Sequence, residues 1–97
     1  MIVRIVKMTF EPSKVPEFLA NFEKNKNNIR NFKGCHKLRL LKGLNDENVY
    51  FTYSWWDNEE ALNQYRISNL FKGVWSKTKT LFIEKPEAWS LVNAVEL

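Results

Sequence analysis

The sequence predicts an α+β fold of ferredoxin-like order, βαββαβ, with a four-stranded antiparallel sheet. Three observations carry this. Stretches with apolar residues at helical spacing alternate with stretches of strand-like pattern. The run Gly43-Leu44-Asn45-Asp46-Glu47-Asn48 joins the second and third strands as a hairpin turn. Each helix must then cross right-handed between strands, which places both helices on one face of the sheet.

The first strand is read over Ile2 to Phe10. Ile2, Val6, Met8 and Phe10 fall on one face and Val3 and Ile5 on the other. Both faces are largely apolar, as in a central strand covered on both sides. Arg4 and Lys7 interrupt it, and snorkelling to the surface accounts for them. Glu11-Pro12-Ser13 turns into a helix capped by Ser13, with Pro16 in its first turn. Val15, Phe18, Leu19, Phe22 and Ile29 form its apolar stripe, and Gly34 ends it in a left-handed conformation. The second strand, Cys35 to Lys42, sets His36, Leu38 and Leu40 on one face.

The third strand begins at Val49, an aromatic and β-branched run that suits a pleated sheet. It gives way at Asp57 to a helix, with Asp57 as cap and Glu60 positioned for a capping box. That helix continues through Leu70, Phe71, Val74, Trp75, Thr78, Leu81 and Phe82 until Pro86 stops it. A break is expected at Ser68-Asn69, whose side chains compete for backbone hydrogen bonds. Trp89, Leu91, Val95 and Leu97 alternate with Ser90, Val92 and Ala94 as a last strand.

The helices cover one face of the sheet only. Leaving the other apolar face in water is costly, so a homodimer packed sheet to sheet is expected. A chain of 97 residues reads as one domain, 1–97, with a modest core. The net charge of +4 permits an acidic partner without requiring one. One cysteine, Cys35, excludes an intramolecular disulfide and points to a reducing cytoplasm. With the one histidine, His36, it offers no zinc cluster. There is no signal peptide pattern, membrane span, P-loop, dinucleotide fingerprint or catalytic triad. No metal, haem or flavin is expected.

Aromatic rings gather at the strand-to-helix corner: Tyr53, Trp55, Trp56, Tyr65, Phe71 and Trp75. A pocket for a flat ligand is expected there, between the sheet and the second helix, lined by Tyr53, Trp55, Arg66, Phe71 and Trp75. Core filling is the alternative role for such rings. His36 is the candidate base, since its unperturbed pKa fits near-neutral catalysis. Tyr65 is the second catalytic candidate, as a donor to an oxyanion, with Arg66 and Tyr53 able to assist. A surface position for His36 and Arg66, core packing for the tyrosines and an inert buried thiol at Cys35 are the structural alternatives.

Several segments resemble the antibiotic biosynthesis monooxygenase family of dimeric α/β barrels. They are Phe32-Lys33-Gly34-Cys35, Tyr53-Ser54-Trp55-Trp56-Asp57-Asn58-Glu59-Glu60-Ala61-Leu62, Ser68-Asn69-Leu70-Phe71 and Lys85-Pro86-Glu87-Ala88-Trp89-Ser90. The resemblance spans Met1 to about Leu91 and points to a small bacterial subgroup. It implies the dimeric barrel fold and a cofactor-independent monooxygenase acting on a small aromatic or quinol-like substrate. In such chemistry an electron-rich phenol or anthrone is deprotonated, held in an apolar cavity and exposed to dioxygen. The family's haem-degrading members need an asparagine, a tryptophan and a histidine at places that align here with Lys7, Tyr65 and Trp75, so haem chemistry is not implied.

Two other readings stand beside this one. The first is a dimeric small-molecule-binding or accessory protein without catalysis, since fold does not fix function. The second is an RNA-binding module of the same βαββαβ order. Tyr50, Phe51 and Tyr53 would suit it, but the first strand lacks an aromatic before Phe10 and the basic residues sit on the first helix. No nucleic acid or membrane partner is expected.

Overall fold

A computed structural model describes residues 1–97. Its strands are β1 (Ile2–Thr9), β2 (Cys35–Lys42), β3 (Val49–Trp56) and β4 (Glu87–Leu91). Its helices are α1 (Val15–Arg30), α2 (Glu59–Arg66) and α3 (Asn69–Thr78). The sheet order is β2-β3-β1-β4, with every neighbour antiparallel, which is the ferredoxin-like arrangement the pattern predicts.

The alternation of each strand decides what the helices cover. Met8 and Phe10 are buried against Phe18 of α1, so the row Arg4, Val6, Met8 of β1 faces the helices. Through the register of β1 with β3, Thr52, Ser54 and Trp56 share that side. Val3, Ile5, Phe51, Tyr53 and Trp55 therefore lie on the other side, joined by Leu41 of β2 and by Trp89 and Leu91 of β4. This second apolar face is the one that the helices leave uncovered.

Two dense clusters bracket the helix-facing layer. Met8, Phe10, Phe18, Tyr50 and Leu81 form one. Cys35, Trp56 and Leu62 form the other. Phe10 and Trp56 are fully buried, and Phe10 stacks on Phe18 with ring centroids 4.1 Å apart. Truncating a ring of this kind costs about 3–5 kcal/mol. Between α1 and α3, the buried Asn21 amide donates to Thr78 Oγ1 at 3.4 Å, fixing the two helices against each other.

Several local expectations are corrected. Ser13 lies in a short 3-10 turn, Pro12–Lys14, and makes no cap; its hydroxyl donates to Glu11 instead. Asn58, not Asp57, caps α2, its Oδ1 accepting from the Ala61 amide at 2.9 Å. The last strand stops at Leu91, and the alternation of Val95 and Leu97 is not used, because residues 92–97 pair with no strand and are exposed. The second helical run ends at Thr78, with a 3-10 turn to Leu81, well before Pro86. The break at Ser68-Asn69 is present: Ser68 caps α3, accepting from the Phe71 amide at 3.1 Å while donating to Tyr65 O at 2.6 Å. Gly34 does adopt φ +90°, but in the turn into β2 rather than as the residue that ends α1, whose C-cap is Asn31.

Candidate active-site cavity

A cavity of about 340 Å³ lies between the helix-facing side of the sheet and the helices. That volume is within the range of small-ligand pockets, roughly 300–1,000 Å³. Its walls are mostly apolar and include parts of both dense clusters. One wall is a run of aromatic contacts. Trp56 stacks on Tyr65 at 4.8 Å between centroids, Tyr65 meets Phe71 edge-on at 5.2 Å, and Phe71 stacks on Trp75 at 5.9 Å. The cap at Ser68 turns the chain between Tyr65 and Phe71, so α2 and α3 present these rings to a common space.

Tyr65, Arg66, Phe71 and Trp75 thus line the cavity together. Burial pushes the Tyr65 phenol well above its ordinary pKa, with a smaller contribution from Cys35. The phenol therefore stays protonated at neutral pH and is available as a hydrogen-bond donor.

Tyr53 and Trp55 do not line it. They occupy odd positions on β3 relative to Ser54 and Trp56, and strand alternation turns them to the opposite side of the sheet. There Lys37 Nζ sits 4.3 Å from the centroid of the Trp55 ring, and the Trp55 indole N–H is buried without a partner in the chain. The aromatic corner is thus divided by the sheet. Lys7 is likewise on the far side, where it pairs loosely with Glu87 at 3.9 Å.

His36 is also outside the cavity. The register of β2 and β3 shifts between Cys35 and Lys37, so His36 is the extra residue of a β-bulge. Cys35 turns in against Trp56 and Leu62, while His36 turns out, half exposed, to meet Asp57 Oδ1. It does not share a face with Leu38 and Leu40. The Arg30 guanidinium donates to Cys35 O at 3.0 Å and holds the bulge. The Cys35 thiol is pushed up chiefly by burial, as an inert buried cysteine should be.

Of the two charged side chains in the cavity wall, one escaped the sequence reading of the site. Arg4 lies in the core-facing row of β1, and its Nη1 donates to Ser90 Oγ at 2.9 Å across to β4. Burial lowers its pKa, and the positive charge of Arg66 lowers it further. The signal was a charge between Ile2 and Val6 in a row that is otherwise apolar. No three His, Cys, Asp or Glu side chains come together anywhere in the chain as a metal site. No helix is long and apolar enough to cross a membrane.

Structural comparison supports the fold. A conserved protein from Methanosarcina mazei Go1 superposes with a TM-score of 0.88 at 21% identity, covering 94% of this chain and 91% of that one. Rv0793 from Mycobacterium tuberculosis gives 0.89 at 15% identity, covering 98% and 96%. SnoaB from Streptomyces nogalater, described as a cofactor-independent oxygenase, gives 0.84 at 16% identity, covering 99% and 95%. No curated protein matches the chain by sequence. Residues 1–74 match the family described as antibiotic biosynthesis monooxygenase, which takes in β1 through the first part of α3 and most of the cavity wall, with Trp75, Thr78, Pro86 and Ala88 beyond it, and the chain belongs to that family.

Proposed function

We propose that this protein is a cofactor-independent monooxygenase of a small aromatic or quinol-like substrate, with the helix-side cavity as its active site. The observation that carries the reading is the aromatic wall of Tyr65, Phe71 and Trp75 around a space of about 340 Å³, in a chain of this family. For an anthrone the reaction balances without a cofactor. The ring methylene loses two hydrogens and gains one oxygen atom of O₂ as a carbonyl, and the other oxygen leaves as water. The electrons come from the substrate, once it is deprotonated. The cavity walls contain no Asp, Glu or His, so the proton goes to solvent rather than to a residue of the wall. The protonated Tyr65 donates to the oxygen on which charge develops.

The protein acts as a homodimer in this account, the uncovered face of Val3, Ile5, Phe51, Trp89 and Leu91 packing on its copy. Support comes from exposed Trp89 and Leu91 and from the partnerless Trp55 indole on that face. A cytoplasmic setting agrees with the single unpaired cysteine. The wall's lack of a carboxylate or imidazole base favours one second reading, a dimeric binding protein without turnover. Oxygen consumption with a panel of anthrones and hydroquinones separates the two.

A further inference from the structure

We infer that the cavity takes an aromatic molecule bearing an anionic oxygen, held between the guanidinium groups of Arg4 and Arg66. This rests on the cavity being the site of an aromatic ligand and adds the ligand's charge. Both arginines line the cavity, and no acidic side chain does. Neither arginine forms an ion pair with a carboxylate anywhere in the chain. Arg4 is partly buried beside this apolar space, and burial together with the like charge of Arg66 disfavours its charged form, so an anion bound there would offset both effects.

The sheet is built to hold Arg4 in place. Its register partners are Ser54 on β3 and Ser90 on β4, so a polar row Ser54-Arg4-Ser90 crosses the mostly apolar helix-facing surface. Ser54 is buried and accepts from the Trp56 indole at 2.9 Å, which anchors one end of the row. Ser90 takes one N–H of Arg4 at 2.9 Å. A guanidinium has five N–H groups in a planar fork, so most remain to meet a carboxylate or phenolate. A snorkelling arginine would need none of this. Arg66 is exposed and stands at the rim, where it meets an incoming anion first.

The two guanidiniums also supply what the wall lacks. By favouring the anion they increase the fraction of an acidic phenol or enol that is ionised, with solvent taking the proton.

The test is titration of the intact protein with 2-naphthoate and with 2-naphthamide, which share ring and size and differ in charge. Tryptophan fluorescence and calorimetry read the binding. We expect the acid to bind about ten-fold or more tightly than the amide, the scale of a charge-assisted hydrogen bond. Arg4→Met and, separately, Arg66→Gln should remove most of that preference by weakening the acid far more than the amide. Arg66 is exposed, so its variant stays informative if Arg4→Met folds poorly. A third probe, 2-naphthol, distinguishes the source of the oxygen: a bound-state absorbance of the naphtholate below its ordinary titration range marks phenolate recognition, whereas preference for naphthoate alone marks a carboxylate. Equal binding of acid and amide with the naphthol bound neutral overturns the proposal, as does no detectable binding of either acidic probe. Charge-selective binding without oxygen uptake on any substrate keeps the clamp and removes the oxygenase. Uptake on substrates without charge selectivity does the reverse.

Discussion

The ring of Tyr65 lies over the ring of the fully buried Trp56, centroids 4.8 Å apart and planes 26° from parallel. One partner ends β3 and the other sits in the last turn of α2, so the stack ties the sheet to the wall of the cavity. It also separates the two roles of Tyr65. The ring packs on Trp56, and in the proposed mechanism the hydroxyl is the donor to the oxyanion. Tyr65→Phe should keep the fold, with less than about 1.5 kcal/mol lost, the net worth of one hydrogen bond. Turnover should fall about 100-fold if the hydroxyl is a donor to the developing oxyanion. Denaturant melts beside steady-state kinetics check both.

Tyr65 also predicts a pH dependence of stability. Its folded pKa lies above the unfolded value of about 10, so the folded state keeps a proton that the unfolded chain loses. Its contribution is complete below about pH 10 and declines as pH rises above it, by at most about 1.4 kcal/mol per pH unit. Stability measured from pH 9 to 11 should fall less steeply in Tyr65→Phe than in wild type. Equal slopes would contradict the buried, protonated phenol.

Two glycines should respond with opposite sign to alanine. Gly34 has φ +90°, and a Cβ there would come within 2.6 Å of Ala61 Cβ, so Gly34→Ala should cost about 1–3 kcal/mol or more. Gly73 lies inside α3, and a Cβ added to it would meet nothing within 4 Å, so Gly73→Ala should gain roughly 0.5–1 kcal/mol. Urea midpoints of the two variants decide this.

The proposed dimer makes a further kind of prediction. Ile5 sits at the centre of the uncovered face, between Tyr53 and Trp89 in register. Ile5→Lys places a charge there and should convert a sedimenting dimer to monomer with the helix-side cavity intact. A wild-type protein that sediments as a monomer at every concentration would refute the interface.

Much of the fold was legible in the sequence because it depends on period and local chemistry. The βαββαβ order follows from alternation, the break at Ser68 from its competing hydroxyl, and the turn at Gly34 from its missing side chain. Alternation also separates Tyr53 and Trp55 from Ser54 and Trp56, but it cannot say which set the helices cover; only the pairing of Met8 and Phe10 with Phe18 does. The error at His36 has another source. One bulged residue reverses the phase of everything before it, and nothing in Cys35-His36-Lys37 announces the bulge. Arg4 was visible as a charge in an apolar row, but its fixing by Ser90 depends on a strand at the other end of the chain.

The account's central claim, that oxygenation takes place in the helix-side cavity, is tested most directly by an oxygen electrode. Wild type, Tyr65→Phe and His36→Ala are compared on anthrones and hydroquinones. The account predicts uptake by wild type, a large loss in Tyr65→Phe, and full activity in His36→Ala, whose side chain faces away from the cavity. Activity lost in His36→Ala and kept in Tyr65→Phe, or no uptake on any substrate, would contradict it.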